Sequence, residues 1–351
     1  MVKQAKVSGS VLERIQANSR IRETAILTES KLYEDREAVA TGIPIMNIAL
    51  SGDLDGGFTS GLTMVAGPSR HFKTLLLMLL ASYYMKKYPD SIMLFYTSEF
   101  GSPITYFDSL HIDKGRVVIS PILDIEELKF DLMKQIENLV KGDKVIIVVD
   151  SIGNLASVKE VEDAIDAKSV TDMSRSKALK SFFRVIAPRC TMKDIPLLIV
   201  NHTYKTLETY SKDVVSGGTG SMYNSDNVFI IGRQQDAEGK GADKEILGYR
   251  YVINVEKSRY VKEKSKFLLD VSFEAGINKW SGLLELAQES GHVIKYPTKP
   301  TKYSRKDEEE LYTEGETNTK EFWTPILSDP TFKEYVKETY QLAESELISG
   351  E

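Results

Sequence analysis

Hydrophobic positions change their period along the chain in a way that separates three regions. An opening segment places Val11, Leu12 and Ile15 at helical spacing and follows them with the β-prone strip Thr24-Ala25-Ile26-Leu27-Thr28. From Thr41 onward continuous apolar runs alternate with helical ones: LTMVA at 62–66, a helix from about Thr74 to Lys87, IMLFYT at 92–97, a helix around 125–140, VIIVVD at 145–150, a helix around 172–187 and PLLIVN at 196–201. Unbroken Val/Ile/Leu runs joined through helices predict a parallel sheet covered on both faces. After Asn227 the runs NVFIIG, YRYVINVE and KFLLDVSF are separated by turns or charged segments, which predicts antiparallel strands added to one side. The stretch from about Lys295 to Lys320, rich in Lys, Glu, Thr and Pro, reads as an exposed connection to a last helical segment, and the chain closes on AESELISGE. The expected organisation is a 1–33 helix/strand element, a 34–275 α/β core with a mostly parallel central sheet, and a smaller 276–351 domain with an acidic end.

Composition narrows the class. A chain of 351 residues can bury a full core and a smaller appendage, and 42% hydrophobic with 27% charged residues is ordinary for a globular protein. No apolar run approaches the roughly 18 residues of a membrane span, and the opening MVKQAKVSGSVLERIQ lacks a secretory apolar stretch. The single Cys190 excludes an internal disulfide framework, and His71, His111, His202 and His292 are too dispersed for a zinc motif. A reducing cytoplasm is the expected compartment. A formal net charge of -6 argues against coating nucleic acid by bulk electrostatics, so any such contact has to come from local basic surface.

The chemistry starts at Gly67-Pro68-Ser69-Arg70-His71-Phe72-Lys73-Thr74, between the LTMVA strand and a helix. In that context backbone N–H groups and a helix N-terminus face phosphates, Lys73 reaches the β/γ oxygens and the Thr74 hydroxyl meets Mg²⁺. Phe72 stands where the general motif has its second glycine, so a plain strand-turn-helix is the competing reading. VIIVVD ends in Asp150, at the sheet edge where a carboxylate supports a metal shell, although strand-end aspartates also serve as caps. IMLFYT leads to Glu99, placed either to activate water or to be solvated, and PLLIVN delivers Asn201 and His202 to the same edge, as a γ-phosphate sensor or a structural pair. Their joint order along the chain favours nucleotide hydrolysis.

With these residues in place the chain resembles the RecA-family recombinases, and within them the UvsX recombinases of T-even-like bacteriophages. The likeness runs from about Ala38 to Leu286 through IPIMNIALSGDLDGG, GPSRHFKT, FYTSEFG, VVDSIGNLAS, VNHTY, SGGTG and NVEKSRYVKEKSKF. Phage members share an aromatic residue before the P-loop lysine, so Phe72 does not separate the chain from them. The resemblance implies a RecA-type P-loop ATPase fold with a short N-terminal polymerisation element that docks on a neighbouring protomer. It implies ATP and Mg²⁺ as cofactors, Gly67 to Thr74 as the phosphate loop, Thr74 and Asp150 at the metal, Glu99 with Lys73 and His202 as the catalytic group, and Tyr106 stacking on adenine. It also implies that Lys257 and Arg259 reach the neighbouring protomer's nucleotide, where the residues alone read equally as a solvated basic turn.

Loops at about Asn154–Val170 and Tyr204–Tyr223 would then face DNA. The first carries Glu160, Glu162, Asp163 and Asp166 and makes a poor phosphate clamp, leaving apolar insertion or simple exposure. The second carries Lys205 and Lys212 beside Tyr204 and Tyr210, then Gly217, Gly218, Thr219 and Gly220 with backbone N–H groups before a helix. Arg175 adds either a phosphate contact or an ordinary surface charge. The implied function is ATP-dependent pairing and exchange of single-stranded DNA with a homologous duplex, by a homo-oligomeric helical filament working with a single-strand-binding protein and a recombination mediator and without a membrane. A hexameric helicase of the same fold and a noncatalytic recombination mediator are the alternatives.

Overall fold

The computed structural model describes residues 10–21, 24–30, 37–100, 104–140, 142–167, 173–205, 213–238 and 245–342. The chain divides into two units, Met1–Glu37 and Ala38–Glu351. In the first, helix α1 (Val11–Asn18) starts from a capping box in which Ser10 Oγ accepts from the Glu13 amide at 3.2 Å and the Glu13 carboxylate accepts from the Ser10 amide at 2.7 Å. Val11, Leu12 and Ile15 are exposed on it. The β-prone strip that follows forms no strand: Leu27–Glu29 is a single 3-10 turn. A strand needs a partner for its backbone groups, and the described residues of this unit contain none.

In the second unit helix α2 (Pro44–Ser51) precedes β1 (Gly61–Gly67), α3 (Lys73–Lys87), β2 (Ile92–Thr97), α4 (Thr105–Ser109), β3 (Val117–Pro121) and α5 (Ile125–Asn138). Then come β4 (Val145–Asp150), α6 (Val158–Ile165), α7 (Ser174–Met192), β5 (Pro196–Lys205), β6 (Asp213–Val215) and α8 (Thr219–Asn224). Strands β7 (Asn227–Glu238), β8 (Glu245–Ser258), β9 (Lys266–Ser272) and β10 (Gly276–Ile277) lead to α9 (Leu283–Glu289), β11 (Val293–Tyr296), β12 (Lys302–Arg305), α10 (Glu314–Thr317), α11 (Lys320–Ser328) and α12 (Pro330–Tyr340).

The main sheet has ten strands in the order β10-β9-β8-β7-β1-β5-β4-β2-β3, with β6 paired to β5. Along that order every pairing from β3 to β7 is parallel and every pairing from β7 to β10 is antiparallel, while β6 pairs with β5 antiparallel. Strands β1 and β4 are buried along their whole length, which is why they read as unbroken apolar runs. One face is covered by α5 and α7, whose Ile125, Leu128, Leu132 and Ile136, and Leu179, Phe182, Phe183, Ile186 and Cys190, recur at helical spacing. The other is covered by α2, α3 and the C-terminal helices, with Leu76, Leu77, Leu80, Phe322, Trp323, Phe332 and Val336 in one continuous core.

The expected exposed connection after Lys295 is instead structured. Strands β11 and β12 form an antiparallel hairpin with Val293 opposite Arg305, and Tyr303, Ser304 and Thr317 are buried. Polar composition misled here because Thr, Ser and Tyr carry hydroxyls that hydrogen-bond locally, as Thr317 Oγ1 does to the Glu314 carbonyl at 2.7 Å.

Candidate active site

Strand register brings the predicted chemistry to one sheet edge. Gly67 at the end of β1 lies opposite His202 in β5, and Thr97 at the end of β2 lies opposite Asp150 in β4. Strands β1, β2, β4 and β5 therefore bring Gly67, Thr97, Asp150 and His202 to the same rim, where the carboxyl ends of an open α/β sheet form a crevice.

There the loop from Gly67 leads into α3, and its Ser69 to Thr74, with Leu75, Glu99, Tyr106, Val200, His202 and Tyr251, line a cleft of ≈ 570 Å³. Gly67 has φ +157, and a Cβ on it would sit 3.0 Å from the Ile231 carbonyl oxygen, so the close approach of β7 requires glycine. Phe72, at the start of α3, has φ 61 and ψ 8, the left-handed conformation that the absent glycine would adopt freely. For a residue with a side chain this costs about 1–2 kcal/mol. Its ring stacks on Tyr251 with centroids 4.9 Å apart at 26°.

Lys73 is buried and its Nζ donates to the Pro68 carbonyl at 2.7 Å, folding the ammonium back over the loop. Burial lowers its pKa from the ordinary lysine value, while Glu99 and Asp150 act in the opposite direction. Thr74 Oγ1 donates to Asp150 Oδ1 at 3.1 Å, and Asp150 is fully buried. A hydroxyl beside a single buried carboxylate suits a hard cation completed by water and phosphate oxygens. No cluster of three His, Cys, Asp or Glu side chains able to hold a metal occurs among the described residues. The donor set fits a hard cation such as Mg²⁺, which Thr74 and Asp150 would hold.

Glu99 sits across the cleft at the end of a hydrogen-bond fan. Ser151 Oγ donates to its Oε1 at 2.9 Å, Asn154 Nδ2 donates to the same oxygen at 3.0 Å, and His202 Nε2 lies 3.3 Å away. Burial, then the charge of Lys73, holds His202 below the usual imidazole value, with Glu99 opposing. His202 is also wired toward the following hairpin: its carbonyl accepts from the Ser216 amide at 2.9 Å, while the Asn201 side chain donates to the Ser216 carbonyl at 3.0 Å. Arg175 in α7 lies behind this edge, its guanidinium donating to the carbonyls of Gly153 at 2.6 Å and Leu155 at 2.8 Å. It braces the loop that carries Ser151 and Asn154.

Comparison with known proteins fits this geometry. A family described as Bacteriophage T4, Recombination and repair protein, C-terminal domain, matches residues 280–336. The recombination and repair protein of Enterobacteria phage T4 is 44% identical over 341 residues, covering 93% of this chain and 86% of its own length. The chain belongs to the family of the phage T4 recombination and repair protein. RecA of Crocosphaera subtropica is 25% identical over 263 residues, 74% of this chain and 71% of its own, and RecA of Parasynechococcus marenigrum is 24% identical over 262 residues, 74% of this chain and 66% of its own. The mixed sheet is accordingly a RecA-type core.

The other predicted residues of this T4-type recombination protein lie away from the cleft. Lys205 is exposed at the end of β5, Gly217 and Gly218 turn with φ +89 and +74 into α8, and Gly220 is buried against Lys180 within it. Thr219 opens α8, and Lys212 lies outside the described residues. Lys257 Nζ donates to the carbonyls of Met222 at 2.7 Å, Tyr223 at 3.2 Å and Ser225 at 2.8 Å, capping the end of α8, and burial lowers its pKa. Arg259 pairs with Asp226 at 2.5 Å. Both basic side chains thus have partners within their own protomer.

Sequence reading did not single out Tyr251, Ser151, Asn154 or Arg233. Ser151 and Asn154 adjoin Asp150 in the chain and could have been found as polar residues past a strand end. Tyr251 and Arg233 become neighbours of the phosphate loop only through the pairing of β7 and β8.

Proposed function

We propose that this protein is an ATP-dependent recombinase that assembles on single-stranded DNA and exchanges it with a homologous duplex. The observation that carries the ATPase is the convergence of Lys73, Thr74 and Glu99 on one cleft, with Asp150 buried behind Thr74 and bonded to its hydroxyl, and Glu99 held by Ser151 and Asn154. ATP binds with its phosphates along Ser69 to Thr74 and its base against Tyr106. Thr74 and Asp150 would hold Mg²⁺, which would supply charge neutralisation to the phosphates. Lys73 leaves the Pro68 carbonyl for the phosphate oxygens. Glu99 orients a water molecule and accepts its proton, and His202 senses the γ-phosphate and passes its position through Ser216 to the second loop.

DNA is contacted by that loop, through Lys205, Lys212, the backbone of Gly217, Gly218, Thr219 and Gly220, and Arg175 once it leaves its own carbonyl partners. Lys257 and Arg259 reach the nucleotide of the next protomer, and the 1–33 element docks head to tail to build an open helix. Single-strand-binding and mediator proteins are the accessory partners, and the host cytoplasm is the site of action. No helix of the described residues is long and apolar enough to cross a membrane.

The test separates binding from chemistry. Lys73→Ala is expected to lose both nucleotide affinity and turnover. Glu99→Gln keeps nucleotide affinity while turnover falls by at least about a hundredfold, the contribution of a general base. Both quantities are read from titration with a fluorescent ATP analogue and from phosphate release. Parental turnover in Glu99→Gln sinks its assignment as the base, and parental nucleotide affinity in Lys73→Ala sinks the cleft.

A further inference from the structure

The phosphate loop contains two residues with side chains in the left-handed region, Arg70 with φ 61 and Phe72 with φ 61. Both positions would relax as glycine, and neither is glycine. Each is met by a side chain from the antiparallel half of the sheet. Arg233 of β7 donates from Nη1 to the Arg70 carbonyl at 3.0 Å, and Tyr251 of β8 stacks its ring on Phe72 at 4.9 Å.

Arg233 and Tyr251 are directly opposed partners in the β7–β8 ladder, so their side chains leave the same face of the sheet side by side. The rung is itself supported. The Arg233 guanidinium lies 4.4 Å over the ring of Tyr249, which contacts Tyr251 at 6.0 Å and Phe273 at 5.5 Å. Tyr251 is 7% exposed and lines the cleft, which places an aromatic platform at the base of the loop.

We propose that the Arg233–Tyr251 rung is a positioning clamp that replaces the missing glycine of the phosphate loop, holding Arg70 and Phe72 in their left-handed turns so that the loop's N–H groups are aimed at phosphate before a nucleotide arrives. Glycine reaches this conformation at no steric cost, whereas Phe72 reaches it only while its ring has a surface to lie on. Strain of this kind persists where the surroundings over-determine it, and the stacked ring with the held carbonyl does that from two sides. Phe72 and Tyr251 are therefore one unit, and the value of either depends on the other. This rests on the reading of the cleft as an ATP site.

A double-mutant cycle tests it, with full-length protein, a fluorescent ATP analogue for affinity and phosphate release for turnover. Tyr251→Leu keeps apolar bulk on β8 but removes the flat ring, and is expected to weaken nucleotide binding about tenfold, the population lost when a strained turn is released. The loss falls on affinity and KM more than on kcat, because Tyr251 touches no reacting group. Phe72→Leu, which keeps the left-handed position but removes the stacked ring, gives a loss of similar size. Tyr251→Phe restores the parental affinity lost in Tyr251→Leu, since the stack needs the ring and not the hydroxyl.

The deciding comparison is Tyr251→Leu in a Phe72→Gly background, where the turn no longer needs support and the loss shrinks to about twofold or less. An equal loss in both backgrounds overturns the clamp and makes Tyr251 a direct nucleotide contact or a core residue. A parental affinity in Tyr251→Leu and Phe72→Leu overturns it as well. If the unmutated protein binds no nucleotide, the reading of the cleft fails instead, and the two failures are told apart by that first titration.

Discussion

At the residue scale the cleft depends on groups whose charge is set by burial. His202 is held below the ordinary imidazole value by desolvation first and by Lys73 second, so the folded protein favours its neutral ring. The stability attached to that preference is fully present above the unfolded imidazole value of about 6.5 and is lost as pH falls through the lower folded value. The thermal midpoint of the parent is therefore expected to drop more steeply as pH falls below about 6.5 than that of His202→Asn. Equal slopes in the two proteins would mean that another group titrates. Lys73, Thr74, Asp150, Glu99 and His202 were all legible because each closes an apolar run or opens a helix. Phe72 was legible only as a departure. Its left-handed backbone and its stacking partner depend on a residue from a strand far along the chain, and no local pattern encodes that contact.

At the element scale, runs with a single periodicity were read correctly and mixed ones were not. VIIVVD and PLLIVN are buried on both faces and can be little else, and α5 and α7 show their apolar stripes plainly. The Thr24–Thr28 strip carries strand-forming residues but has no strand partner among the described residues of its own unit, and the β11–β12 hairpin was hidden by lysines and threonines flanking a few buried positions. The first loop is partly a helix, α6, that exposes Val158, Val161 and Ile165 alongside Glu160, Glu162 and Asp166. The second leaves Lys205 exposed where β5 and β6 part, opposite Asp213. Replacing Lys205 by Ala should reduce the slope of log affinity for single-stranded DNA against log salt by about 0.7, one phosphate contact. An unchanged slope moves the basic contact to another part of the surface.

At the scale of the whole molecule, the parallel half of the sheet brings Thr97, Asp150 and His202 to one rim, and the antiparallel half sends Arg233 and Tyr251 against the loop that follows β1. The C-terminal helices close the core beneath them, with Lys333 and Lys337 paired to Asp55 and Asp53 at 2.6 and 2.9 Å. A net charge of -6 requires DNA to be held by a few placed groups, not by a general field, so binding should respond to single substitutions. Pairing of homologous strands by this ATPase is read in a strand-exchange reaction. The full chain, ATP and Mg²⁺ are mixed with a single strand and a labelled duplex of matching or unrelated sequence, and displaced strand is scored. Displacement is expected to require ATP and to occur only with the matching duplex. Displacement from the unrelated duplex at the same rate would indicate a helicase, and no displacement from either, with ATP bound and hydrolysed, would contradict the recombinase reading.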